Sequence, residues 1–247
     1  MVIKQIDHLN YKRLFFTVNE IFLTGKSDTE ADINYFIQVP DNVNNTLKEF
    51  YTILIELNAS ESEIWSGIYH RTRTEINSFL TNQNYVHKII LDPSANDLAF
   101  YVKMLDEFNA LKSIRKAEKF RLQAYLRYGI LVISYILQDD KIVCVNFYRV
   151  NKQRAANIYS FNLKHKYSES FTASYFGRAH RALHWLDILE FKKLGVQQYD
   201  FCGWYNGTED QELIRINQFK ELFSKNIVKE YSGVIYNSKI IRLLKSK

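Results

Sequence analysis

The residues best suited to chemistry lie between positions 168 and 203. Residues 168–177 read SESFTASYFG, four small hydroxyl side chains and one glycine, and RAHRALHWLDILEFKKLGVQQYDFCG follows. In this second stretch Ala179, Ala182, Leu183, Leu186 and Leu189 recur at steps of three and four, the spacing of one helical face. Gly195 stands where a left-handed cap would end that helix, and 196–202 has the composition of a strand. A small-residue loop feeding a helix start gathers unpaired N–H groups and the positive end of the helix dipole, which suits a phosphate or another anion. Arg178 and Arg181 add charge beside it. An ordinary solvated helix start has the same appearance, and this stretch alone leaves both readings open.

Other reactive side chains are sparse. His165, His180 and His184 share no metal-ligand spacing and there is no Cys-x-x-Cys pair, so no metal is expected. Cys144 and Cys202 fall in apolar strand patterns, which predicts buried small hydrophobes in a reducing compartment.

The elements that must position these groups follow from periodicity. Residues 13–18, 35–39 and 50–57 read as strands dense in aromatic and β-branched residues, separated by polar loops at 26–32 and 41–46. Ser60 and Glu63 form a capping box that starts a helix over 61–80, with Ile64, Ile68 and Ile76 inward and Arg71 and Arg73 near its middle. A strand over 85–91, helices over 94–111 and 116–127, a hairpin of 130–137 with 142–150, and a strand over 157–164 come next. After the helix–strand unit described above, a helix over 211–224, a strand over 227–236 and a basic helical tail over 238–247 close the chain. This order predicts an α/β fold with a mixed sheet covered by helices.

Composition narrows the class. With 247 residues, 47% of them hydrophobic, the chain can bury a sizeable core, and two prolines with eight glycines argue against long linkers. A net charge of +6 points to an anionic partner. The basic residues are spread rather than blocked, which speaks against bulk nucleic acid or a membrane surface. The longest apolar run, 130–137, is far short of the ~20 residues of a membrane span, and no signal peptide is read. A soluble cytoplasmic protein, monomeric or a homodimer, is expected.

The element order resembles the GNAT acyltransferase fold, and particular residues sharpen the likeness. Leu183-His-Trp185, 193–195 (KLG), 199–203 (YDFCG), 217–220 (NQFK) and Phe223 resemble the C-terminal half of the FemABX-like branch; 52–57 (TILIEL) and 71–76 (RTRTEI) resemble its earlier strand and Arg-bearing helix. The resemblance covers roughly residues 50–236. It implies tandem GNAT-like halves, a truncated one over 1–82 and a complete acyltransferase domain over 83–247. Two features depart from it. The pyrophosphate signature [QR]-x-x-G-x-[GA] is broken at 178–182 (RAHRA), and the helical tRNA-binding arm of some FemABX transferases has no counterpart.

The resemblance also implies a reaction, attack of a primary amine on an acyl thioester, and with it a set of roles. The carbonyl would rest on backbone N–H groups of a splayed strand over 158–163. Asp200 would contact the amine, His184 could act as base, and Tyr205 or Tyr175 could protonate the leaving thiolate. Tyr175, Phe176, Gly177, Arg178, Ala179, His180 and Arg181 would meet the pyrophosphate of coenzyme A, with Asn217 and Lys220 near the cofactor or an acceptor phosphate. Arg71, Arg73 and Trp204 would line the acceptor pocket. The activity expected is N-acyl transfer from acyl-CoA to a nucleotide-linked amino sugar used for surface polysaccharide. An aminoacyl-tRNA-dependent transferase acting on a peptidoglycan precursor and a non-catalytic RNA- or nucleotide-binding module are the alternatives.

Overall fold

The computed structural model describes residues 3–24, 30–81, 84–238 and 241; most of the expected tail helix at 238–247 lies outside them. One ten-stranded mixed sheet runs through the molecule. In chain order the strands are β1 (His8–Arg13), β2 (Phe16–Phe22), β3 (Ile33–Val39), β4 (Lys48–Glu56), β5 (Tyr85–Ile90), β6 (Leu131–Gln138), β7 (Lys141–Val150), β8 (Arg154–Asn162), β9 (Gln198–Asp200) and β10 (Ile227–Tyr236). Across the sheet they lie β1-β2-β3-β10-β4-β9-β8-β7-β6-β5. The helices are α1 (Glu61–Gly67), α2 (His70–Leu80), α3 (Ala95–Leu111), α4 (Lys119–Tyr128), α5 (Lys164–Tyr167), α6 (Ala173–Lys193) and α7 (Gln211–Glu221).

The central strands are buried on both faces, as their near-continuous apolar runs require. On one face Leu131, Ile133, Val145, Phe147 and Phe161 pack with Leu98, Val102 and Leu105 of α3 and Leu122 and Tyr125 of α4. On the other, Val132, Tyr148, Val150 and Ala155 pack with Trp185, Ile188 and Phe191 of α6, and Ile136, Val143 and Cys144 pack with Phe79 of α2 and Ala179, Ala182 and Leu183 of α6. Strands from before and after the expected 82/83 boundary share this sheet: β4 pairs with β9, and β10 inserts between β3 and β4.

Four expectations are corrected. The strand read over 13–18 is two strands joined by a turn at Leu14 and Phe15, with Arg13 opposite Phe16. Both turn residues are apolar and exposed, so composition concealed the hairpin. The helix over 61–80 is two helices, since α1 ends at Gly67 and Ile68 is extended. β9 is three residues, because the chain turns away after Asp200. Most consequential, α6 starts at Ala173, with Thr172 capping the Tyr175 N–H through its side chain. Tyr175 packs on Phe79, with Phe171 and Phe176 in ring contact with Tyr175, and that aromatic cluster draws the predicted loop into the helix.

Candidate functional site

The sheet opens between β8 and β9. They pair in parallel over Arg154–Gln198, Ala155–Tyr199 and Ala156–Asp200. β8 then continues to Asn162, and among the described residues no strand pairs with that edge. The other chain follows β4 instead: the Phe201 N–H donates to Ile53 O at 3.0 Å and the Trp204 N–H to Tyr51 O at 2.5 Å. Cys202 and Gly203 both have left-handed φ, +49° and +48°, which turns the chain off the line of β9. On β8, a register shift opposite Phe147 and Tyr148 marks a bulge at the same level.

Two cavities meet this opening from opposite faces of the sheet. One, about 630 Å3, lies against α6 and α7 and is lined at the opening by Asn157, Ser160 and Phe201, with His180, His184 and Lys220 around it. The other, about 590 Å3, lies toward α4 and reaches the opening at Ile158, Tyr159 and Cys202. Its basic lining residues are Arg115, Lys116, Arg121 and Arg149, against one acid, Glu118. Arg121 is already engaged, at 2.8 Å from Glu20 and 2.7 Å from Glu118.

The α6-side cavity holds two buried polar atoms without partners, Asn157 Nδ2 and His184 Nε2. His184 is 2% exposed and Asn157 7%. Phe201, Phe219 and Phe223 surround the His184 ring, and His180 stacks on it at 5.0 Å between centroids. Burial, with Arg181 adding repulsion, lowers the pKa of His180 from 6.5 to about 4. Burial, then His180, Lys220 and Arg181, holds His184 well below its ordinary value. Both rings are therefore neutral near pH 7.

Behind them is a buried network. His184 Nδ1 lies 2.6 Å from Tyr199 Oη, which lies 2.9 Å from Tyr148 Oη, which donates to Asp187 at 2.6 Å. Asp187 is fully buried and also takes Asn146 Nδ2 at 3.0 Å, Ser134 Oγ at 2.6 Å and His87 Nε2 at 2.9 Å. From Asn146, Oδ1 accepts from Ser160 Oγ at 2.6 Å, and Ser160 Oγ is 2.6 Å from His180 Nε2.

The residues named from sequence fare unevenly. His184, His180 and Lys220 converge on the α6-side cavity. Asp200 does not open into either cavity. It is 0% exposed, and its oxygens take Thr52 Oγ1, the Cys202 N–H at 2.7 Å, Gln38 Nε2 at 2.6 Å and Arg154 Nη1 at 3.5 Å. With both oxygens occupied it holds the turn at Cys202 rather than an amine. The pyrophosphate site at 175–181 is also corrected. Gly177, Arg178, Ala179, His180 and Arg181 lie inside α6, where their amides are spent on helical bonds, and Phe176 is in the core. Tyr175 Oη donates to Gln138 at 2.8 Å, and Arg181 is tied to Gly177 O and Glu75.

Asn217 clamps the Tyr205 backbone, accepting its N–H at 2.9 Å and donating to its C=O at 2.8 Å. The Tyr205 ring packs over Gly207, where a Cβ would come within 2.4 Å of the hydroxyl. Trp204 donates to Glu221 at 2.9 Å and packs on Tyr51. Arg71 is exposed and pairs with Glu75 on its own helix, and neither it nor Arg73 lines the two cavities. Lys220 Nζ donates to Cys202 O and Gly203 O, so it caps the turn that opens the sheet; burial lowers its pKa.

Sequence reasoning missed Asn157, Ser160, Asp187, Tyr148 and Tyr199. A signal existed. Ser134 and Asn146 interrupt the apolar runs of β6 and β7, and Asp187 falls four residues after Leu183 on the apolar face of α6; the three touch one another.

No protein-family model and no curated protein matches the sequence. Solved structures do. FemX aligns at a TM-score of 0.63 over 97% of this chain and 86% of its own, with 8% identity. The C-terminal domain of a putative lysylphosphatidylglycerol synthetase from Agrobacterium fabrum aligns at 0.54 over 86% and 70%, with 11% identity. A conserved protein of unknown function from Bacteroides thetaiotaomicron aligns at 0.54 over 93% and 84%, with 9% identity. The fold is FemX-like.

Proposed function

We propose that the protein transfers an acyl group from an activated carboxyl donor, held between α6 and α7, to a primary amine that reaches the same point from the α4 face. The observation that carries this reading is the opening after Ala156, with a cavity on either side of it. A carbonyl lodged there meets the unpaired main-chain edge of β8, and an amine from the opposite cavity has a direct line to its carbon. The amine lone pair forms the C–N bond, the carbonyl oxygen takes the charge, and collapse breaks the bond to the leaving sulfur or oxygen. The amine proton passes to that leaving group. FemX-like architecture over nearly the whole chain supports such a reaction by analogy of fold.

The acceptor we favour carries phosphate, because Arg115 and Lys116 stand at the α4-side cavity; a nucleotide-linked amino sugar has the required amine and charge. Coenzyme A as carrier would have to find its phosphate contacts at Lys112 and Arg215 beside the donor cavity, since the amides of 177–181 are engaged. That engagement favours a second donor, an aminoacyl ester of the kind charged tRNA supplies. Incubating the protein with labelled acetyl-CoA or with charged tRNA, each with a panel of amine acceptors, decides it by mass spectrometry of new amides. Amide formed from either donor supports acyl transfer and names the carrier. No amide with any combination, and no thermal stabilisation by either donor, would overturn it.

A further inference from the structure

The proton positions in the Asp187 network follow from its chemistry. Asp187 takes four donors and is a carboxylate acceptor. The Tyr148 O–H therefore points at Asp187. Its oxygen is left as an acceptor, so the Tyr199 O–H points at Tyr148. The Tyr199 oxygen then accepts, and the 2.6 Å contact from His184 requires a proton on Nδ1. A neutral imidazole carries one N–H, so His184 Nε2 is a bare lone pair. That atom is the one without a partner in the α6-side cavity.

The second branch is fixed from the same end. Asn146 Nδ2 donates to Asp187, so Oδ1 is the atom that accepts from Ser160. The Ser160 hydroxyl proton is thus used, and His180 must donate to it from Nε2. One carboxylate in this way gives two stacked histidines opposite tautomers.

We propose that Asn157 and His184 are the catalytic donor–acceptor pair at the opening, and that Asp187, Tyr148 and Tyr199 are positioning residues that keep His184 Nε2 unprotonated. This rests on the acyl-transfer reading. Asn157 Nδ2 donates to the carbonyl oxygen as it becomes an oxyanion. His184 Nε2 takes the amine proton as the C–N bond forms and returns it to the leaving oxygen or sulfur in the same cavity. Both groups are buried, so water does not compete for them.

The test uses the full chain with 15N-labelled histidine. Two-bond proton–nitrogen correlation at pH 7 is expected to give His184 a protonated Nδ1 and a pyridine-type Nε2, with the reverse for His180. Tyr199→Phe keeps the ring among Phe191, Phe201 and Tyr148 and is expected to average the His184 nitrogens between tautomers while leaving His180 fixed. Tyr148→Phe gives a second route to the same result. An Nε2-protonated or doubly protonated His184 in the unsubstituted protein, or unchanged shifts in both variants, would overturn the relay. With the donor identified, Asn157→Ala is expected to lower kcat roughly 100-fold or more, with KM within about threefold; an unchanged kcat would overturn its role and leave acyl transfer standing. If no donor and acceptor react, the catalytic pair falls with the acyl-transfer reading, while the ring shifts still decide the relay.

Discussion

Asp187 and Asp200 are both fully buried carboxylates, each taking four donors. They differ in where their networks end. The Asp200 network satisfies its own buried groups: Arg154 bridges Asp200 and Glu230, with Glu230 at 2.8 Å, and Gln38 joins Asp200 to Arg149. Arg154 also reaches Gln198, which donates to the exposed Glu56, and Gln38 and Arg149 border the α4-side cavity, but none of these side chains holds a buried polar atom without a partner, so the network holds the sheet open. The Asp187 network runs through two hydroxyls to a ring that lines the α6-side cavity and whose buried Nε2 has no protein partner. A polar network whose buried atoms all have partners specifies shape, whereas a buried atom without one calls for a functional explanation.

Substitutions sharpen this contrast, and the largest effect falls at the open end. His184→Ala is expected to cost roughly 100- to 10,000-fold in kcat for the folded protein, beyond the loss of about 2–5 kcal/mol of stability from the cavity it leaves among Phe201, Phe219 and Phe223. A kcat within threefold of the unsubstituted protein would break the comparison. Asp187→Asn removes a charge with four donors around it and should cost about 3–5 kcal/mol in urea unfolding. Asp200→Asn is expected to cost about 1–3 kcal/mol, because its new amide meets Gln38 Nε2 and Arg154 as a third donor. Its effect on kcat should track the loss of the folded opening rather than a change in the pH–rate profile. A shifted profile at unchanged stability would make Asp200 chemical after all.

An effect comparable to that of Asp200→Asn is expected on stability against pH. His180 titrates at about 4 in the folded chain and near 6.5 when unfolded, with burial and Arg181 the causes; His184 is displaced the same way by burial, His180, Lys220 and Arg181. Between these values the unfolded chain binds the proton that the folded one refuses. Stability is full above about 6.5 and declines as pH falls toward 4, by roughly 1–3 kcal/mol from His180, with His184 adding in the same direction. Urea midpoints that stay flat from pH 7 to 4.5 would mean that the rings are not buried neutral.

Much of the architecture was legible because it depends on periodicity. The apolar runs of β6 and β7, the α3 face at Leu98, Val102 and Leu105, and the Ser60 cap all show in the chain. The element order and the YDF-containing strand pointed to the right fold. The site was harder. Asp200 attracts attention because it lies in a strand beside the expected opening, but a sequence does not say that Thr52 and Gln38 will close over it. The start of α6 depends on the cluster of Phe171, Tyr175 and Phe176 reaching Phe79 through Tyr175, a contact between residues far apart in the chain. Asn157 gives no local signal, since its buried donor lacks a partner only because β9 turns away.

The central claim is that two substrates meet from opposite faces at the gap between β8 and β9. Wedges tested by steady-state kinetics address it most directly. Ile216→Trp narrows the α6-side cavity and Val234→Trp the α4-side one. The first is expected to raise KM for the acyl donor alone and the second KM for the amine alone, each at least several-fold. If both wedges act on the same substrate, the two cavities are one site and the sheet is not crossed there.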